Sequence, residues 1–125
     1  MTEPDADPDL PHVDCLFCRI ASGSIPADRV QEDDLVVAFR DIAPCAPTHI
    51  LVIPRDHIAS AADLTEEHAA LLGRLFAVTA RIARDEGIAE GGYRLVSNVG
   101  RWGGQTVDHL HIHLLVGRTF SWPPG

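Results

Sequence analysis

His109-Leu110-His111-Ile112-His113-Leu114-Leu115 is the stretch on which the reading of this chain turns. Successive side chains of a strand alternate faces, so His109, His111 and His113 share one face and Leu110, Ile112 and Leu114 the other. The apolar face can bury under a helix. The histidine face needs partners, because an unpaired polar group is costly to bury. One chemistry is metal binding by histidines at i and i+2, although the outer pair lies roughly 13 Å apart between Cα atoms, which strains all three on one ion. The other keeps the middle histidine as a nucleophile toward phosphorus, its second ring nitrogen held by an acceptor that fixes the tautomer. Phosphoryl chemistry also needs donors around the equatorial oxygens. Just upstream, Gly103-Gly104-Gln105-Thr106 offers backbone amides, close approach and a hydroxyl, and Asn98 adds another donor.

Val107 to Gly117 reads as one strand and Tyr93 to Asn98 as its predecessor, separated by the glycine-rich Gly100-Arg101-Trp102-Gly103-Gly104. His49-Ile50-Leu51-Val52-Ile53, ended by Pro54, is a β-branched apolar run that predicts a central strand. Arg29 to Glu32 and Leu35 to Arg40, split by Asp33-Asp34, predict a hairpin. Leu64, Leu71, Leu72, Leu75, Val78, Thr79 and Ile82 follow helical spacing, with Asp63 and Glu66 as a capping box and Gly87 as a stop. They predict one long helix of about 22 residues. A shorter helix is expected between Cys15 and Ile25, stopped by Gly23 and Pro26. About five strands in succession with one long helix favour an α+β fold, an antiparallel sheet with the helix on one face.

The chain has 125 residues, the size of one domain, and 46% hydrophobic content is enough for a core. Its net charge is −8, with 10 arginines and no lysine, and five acids (Glu3, Asp5, Asp7, Asp9, Asp14) stand in the first fourteen residues. Setting those five aside leaves −3 on residues 15–125. Residues 1–14, with three prolines and few large apolar groups, are expected to be a disordered acidic leader, and 15–125 the folded domain. A body of this sign lacks the basic stripe that nucleic acid requires. The acidic N-terminus and short apolar runs speak against membrane attachment. Without lysine, Schiff-base and P-loop-lysine chemistry are excluded.

Three cysteines and no signal peptide point to the reducing cytoplasm, where paired cysteines bind metal more often than they bridge. Cys15-x-x-Cys18 is by itself a half-site for zinc or a redox pair, since zinc needs two further ligands. Cys45 has no obvious partner, and His12 and His68 read as surface residues.

His109-x-His111-x-His113 and two following apolar residues, approached by Gly103-Gly104-Gln105-Thr106, resemble the signature of the histidine triad (HIT) superfamily. The likeness runs through Phe17-Cys18-Arg19-Ile20, Phe39-Arg40-Asp41-Ile42, Ala46-Pro47-Thr48-His49, Val52-Ile53-Pro54 and Gly92-Tyr93-Arg94. The ending Ser121-Trp122-Pro123-Pro124-Gly125 is similar to that of the histidine triad nucleotide-binding protein branch.

The resemblance implies a homodimer whose two five-stranded sheets join, hydrolysing purine nucleoside 5′-phosphoramidates of the AMP-amine type through a nucleotidyl-histidine. His111 would be the nucleophile, with His109 and His113 supporting it and the phosphate, and His49 beside the leaving group. Thr106 would stand where the family commonly has serine. Asp41 and Ile42 would line the ribose and base pocket, Asn98, Gly104 and Gln105 the phosphate, and Trp122 would reach the partner's active site. The nucleotidyltransferase branch has glutamine at the third histidine, so His113 favours hydrolysis. His57 stands where zinc-binding bacterial members place a ligand, which implies a closed structural zinc site of Cys15, Cys18, His57 and His109. The alternatives are a dinucleoside polyphosphate hydrolase, a nucleotide-binding protein without turnover, and a zinc hydrolase that uses the triad as ligands.

Overall fold

The computed structural model describes residues 14–87 and 89–125. The expected leader therefore lies outside the described residues except for Asp14, as does His12. Helix α1 (Leu16–Ser22) opens the fold and is followed by strands β1 (Arg29–Glu32), β2 (Val36–Arg40) and β3 (Thr48–Pro54). Helix α2 (Ala69–Asp85), β4 (Tyr93–Val96) and β5 (Ile112–Val116) complete it. The strands form a single antiparallel sheet in the order β1-β2-β3-β5-β4. The α+β architecture expected from the sequence is the one observed.

The hairpin turns where Asp33 Oδ1 accepts from the amides of Leu35 and Val36, at 2.8 Å each. An Asx side chain placed this way substitutes for backbone partners and favours the turn. From there the alternation of β2, β3 and β5 splits the apolar residues between two cores. Val36, Ala38, Ile50, Val52, Ile112, Leu114 and Val116 face Leu75, Val78 and Ile82 of α2. Fully burying each of those three α2 side chains contributes about 1.5–3 kcal/mol. Val37, Phe39, Leu51 and Ile53 face the other way, against Phe17, Ile20 and Ala21 of α1.

Two expectations are corrected. The triad is not a continuous strand from Val107 to Gly117, because β5 begins only at Ile112. The amide of His109 bonds to the Val107 carbonyl and that of Leu110 to Ile58, at 2.9 and 2.6 Å. With those donors turned away, the ladder with β3 starts at the Val52–Ile112 pair. His109 thus sits on a bend and His111 on the short connection into the strand, yet Leu110 still packs with Ile112 and Leu114 under α2.

The long helix is also shorter than expected, 17 residues, and Asp63 with Glu66 does not cap it. Ser60 caps a separate 3-10 turn at Ala61–Asp63, and Thr65 caps another at Glu66–His68 that leads into α2. The capping box is formed by Thr65 and His68, whose Nδ1 accepts from the Thr65 amide at 2.9 Å. This gives the surface histidine a structural role.

Candidate active site and metal centre

The face of the sheet covered by α1 carries the candidate site. Phe39, Leu51, His113 and Val96 stand in one row across β2, β3, β5 and β4, so the strand register sets an imidazole into an otherwise apolar row. Beside this row lies a cleft of about 290 Å³, lined by Leu16, Phe17 and Ile20 of α1, by Asp41, Ile42 and Thr106, and by His111 and His113, among others. An apolar cleft with a few convergent polar groups is the usual form of a small-molecule site.

His111 is buried, and Phe17 meets its ring edge to face, with centroids 5.0 Å apart and planes at 89°. Its Nδ1 lies 2.6 Å from the His109 carbonyl oxygen. A carbonyl only accepts, so Nδ1 carries the proton and donates, which leaves the lone pair on Nε2. His111 therefore has the form an imidazole nucleophile needs.

A second chain of hydrogen bonds runs behind it. The Cys45 amide donates to His49 Nδ1 at 3.0 Å, which puts the His49 proton on Nε2. His49 Nε2 lies 2.9 Å from His113 Nδ1 and 3.5 Å from Asp41 Oδ2. It donates to His113 Nδ1, so His113 holds its own proton on Nε2. Burial lowers the pKa of His49, with the Asp41 carboxylate opposing. Burial, then the neighbouring His111 and His49 rings, push His113 down to about 4, again against Asp41. Both rings are neutral near pH 7, and His113 offers a hydrogen-bond donor at the cleft.

The four residues implied as zinc ligands come together. Sγ of Cys15 and Sγ of Cys18 lie 3.3 and 3.5 Å from His109 Nδ1, and Cys18 Sγ lies 3.3 Å from His57 Nδ1. All four donor atoms are within 4.8 Å of one another. A tetrahedron with Zn–S of about 2.3 Å and Zn–N of about 2.0 Å has S···N edges of roughly 3.5 Å, so the spacing fits. The tautomer fits as well. His109 Nε2 is 2.8 Å from the Pro54 carbonyl oxygen and must donate to it, which frees Nδ1 for a metal. The set is thus close enough to hold a metal ion and compatible with zinc.

Asp41, His49 and His113 form a second cluster of three possible donors. Here the tautomer argues the other way. Because His49 Nδ1 already accepts the Cys45 amide, its Nε2 is protonated and has no lone pair for an ion. The same three residues therefore make a hydrogen-bond relay, while the cysteine cluster has the donor set to hold a metal ion.

The other residues singled out in the sequence are placed as follows. Thr106 lines the cleft with His111 and His113; Asp41 and Ile42 stand at its edge, Ile42 fully exposed. His49 is not among the lining residues and stands behind His113. Asn98 and Gln105 spend polar atoms on the loop beside the cleft. Asn98 Nδ2 donates to the Gly103 carbonyl at 2.6 Å, and Gln105 joins Gly100, Ala59 and Val107. Gly103 is required there, since an added Cβ would overlap the Val99 carbonyl, and Gly104 follows with φ +80°, in the left-handed region that favours glycine. Trp122 is 82% exposed on the C-terminal segment. Three contributors escaped the sequence reading, the Cys45 amide, the Pro54 carbonyl and the Phe17 ring. The first two are backbone groups, which residue identity does not reveal.

The fold and the triad geometry define a histidine triad protein, and comparison with known proteins agrees. The model of the HIT domain family matches residues 22–120, and the chain belongs to the HIT family. It is 58% identical over 112 residues to an uncharacterized HIT-like protein of Synechococcus elongatus, covering 90% of this chain and 97% of that one. It is 55% identical over 103 residues to the purine nucleoside phosphoramidase of Escherichia coli, covering 82% and 87%. The crystal structure of a HIT family hydrolase from Legionella pneumophila superposes with a TM-score of 0.87 at 52% identity, over 89% of this chain and 99% of that one. Together these support a hydrolase. Among the described residues no helix is long and apolar enough to cross a membrane.

Proposed function

We propose that the protein hydrolyses purine nucleoside 5′-phosphoramidates, with His111 as the nucleophile. The observation that carries this reading is the His111 Nδ1 bond to the His109 carbonyl, which presents a bare Nε2 beside the cleft. The 55% identity to a purine nucleoside phosphoramidase supports the choice of substrate class.

In this mechanism the purine and ribose lie against Leu16, Phe17, Ile20, Asp41 and Ile42, and the phosphate meets His111, His113 and Thr106. Asn98, Gly104 and Gln105 hold the loop that carries Thr106 against the phosphate. Nε2 of His111 attacks phosphorus as the bond to the amine breaks, and the amine leaves with a proton from solvent. The His109 carbonyl stabilises the positive charge that grows on the ring. His113 Nε2–H and the Thr106 hydroxyl donate to the phosphoryl oxygens, and His49 holds His113 in the tautomer that makes this possible. Water then attacks the nucleotidyl-His111, releases the nucleotide and returns the proton to solvent.

Cys15, Cys18, His57 and His109 hold a structural zinc, whose contribution is to tie α1 to the approach of the triad. The working form is a homodimer in the cytoplasm. Its support is the open β4 edge, where Tyr93 and Leu95 are each 37% exposed, because an uncovered edge strand is readily closed by a two-fold partner.

The test is to compare turnover of an adenosine phosphoramidate with that of diadenosine polyphosphates. Faster release of AMP from the phosphoramidate is expected. Preference for the polyphosphates would favour a dinucleoside polyphosphate hydrolase, and binding without turnover a nucleotide-binding protein.

A further inference from the structure

We propose that Arg118 is a positioning residue for the active site, setting the tautomers of His49 and His113 through its hold on Cys45. The inference rests on the hydrolase reading and deepens it.

Arg118 follows the end of β5 and donates from Nε to the Cys45 carbonyl oxygen at 3.1 Å and from Nη1 to the Thr119 carbonyl oxygen at 3.0 Å. Its guanidinium carbon lies 4.1 Å from the centroid of the Phe120 ring, a cation–π contact that holds the fork in place. The preceding residue grips the same loop a second time. Gly117 has φ +102°, and a Cβ there would stand 2.8 Å from Pro47 Cβ, so only glycine lets the strand end come this close. At its other end the loop is pinned where the Ala43 amide donates to Asp41 Oδ1 at 2.8 Å. Between these points the Cys45 amide donates to His49 Nδ1.

The consequence follows from donor and acceptor counting. Hydrogen bonds weaken steeply when misaligned, so a loop released by loss of Arg118 no longer fixes the Cys45 amide on His49. The His49 proton is then held on Nε2 only by the Asp41 carboxylate at 3.5 Å, and in the fraction of molecules where it moves to Nδ1 a bare Nε2 faces His113 Nδ1. Two lone pairs facing each other move the His113 proton to Nδ1 as well. The cleft loses a donor and gains an acceptor facing an anionic phosphate.

The experiment uses the full chain with ¹⁵N-labelled histidine, without substrate, near pH 7.5, where two-bond proton–nitrogen correlations separate the tautomers. Wild-type His49 and His113 are expected as Nε2–H. Arg118→Met, which keeps an apolar stem over Phe120 and no donor, is expected to mix the tautomers of both rings. It should also lower kcat about tenfold with KM within about threefold of wild type. Arg118→Lys, which retains a donor, is expected to restore most of the rate and the spectrum. Should Arg118→Met not fold, Arg118→Gln, too short to span to Cys45 yet polar, carries the same reading.

Unshifted tautomers in the donorless variant overturn the inference, as does a lysine variant no better than methionine. Because the spectra need no substrate, a wild-type protein inert toward phosphoramidates would remove the proposed function alone. Normal turnover with unmoved tautomers would remove the role of Arg118 alone.

Discussion

The Nδ1 proton of His111 points at the carbonyl oxygen of His109, 2.6 Å away, while the ring of that same His109 stands among Cys15, Cys18 and His57. One residue thus touches both clusters with different parts, its backbone the proposed nucleophile and its imidazole the candidate metal set.

Replacing His111 by alanine removes the nitrogen proposed to attack and leaves the apolar walls of the cleft. The variant is expected to fold, to bind AMP, and to lose turnover by several orders of magnitude, because removing the nucleophile abolishes the covalent step. Calorimetric AMP binding beside a phosphoramidate assay measures both. Retention of more than about a tenth of the wild-type rate would exclude His111 as the nucleophile.

The metal set makes the opposite prediction, a stability effect with a smaller effect on rate. Purified protein should carry about one zinc per chain, and Cys15→Ser should lose it with a fall in Tm, because a closed four-ligand site contributes folding energy. Activity should fall only in part, since the His109 carbonyl remains beside His111. Elemental analysis with thermal melts tests this, and a stable wild-type protein free of metal would refute it.

How much of this was legible in the sequence depends on where the information sits. The continuous apolar runs in Leu35 to Arg40 and His49 to Ile53 are legible as strands because two cores bury both faces of successive residues. The start of β5 was misjudged because the alternation of His109 to Leu115 continues through the approach, where the amides of His109 and Leu110 leave the ladder. Side-chain spacing carries no record of where a backbone amide goes. The entry to α2 was misjudged for a related reason. Asp63 and Glu66 have capping spacing, but Ser60 and Thr65 each cap a short 3-10 turn first. The ligand set was implied by resemblance; its tautomers, which distinguish the metal cluster from the relay, rest on Pro54 and Cys45 backbone groups.

The depressed pKa of His113 gives a pH dependence with a definite sign. Its value of about 4 in the folded chain lies below the 6.5 of an unperturbed histidine. Between those values the unfolded chain binds the extra proton, so stability rises with pH across this window and is lost as pH falls through it. Partial exposure of the ring limits the contribution to at most about 3 kcal/mol. Urea denaturation of wild type and His113→Gln from pH 4 to 7 should show a steeper slope in the wild type. Parallel slopes would mean that His113 is not held neutral by its surroundings.

Trp122 supplies the last test, because its indole is 82% exposed in the single chain and its loss should cost the isolated fold almost nothing. Tryptophan is enriched at interfaces, where an apolar ring and a polar N–H are both used. The segment that carries it is held at its base, where Arg94 Nη2 donates to the Ser121 carbonyl at 2.7 Å, so the indole projects from a fixed stem. If it completes the leaving-group side of the partner's cleft, Trp122→Ala should leave Tm, dimerisation and AMP affinity within error. The relative rates across a panel of amine leaving groups should change by about tenfold or more, since one methylene in an apolar pocket discriminates by about 10–200-fold. Sedimentation measures the dimer, and competition kinetics on mixed phosphoramidates measure the ranking. A chain that sediments as a monomer at micromolar concentration, or an unchanged ranking, would confine the active site to residues of one subunit.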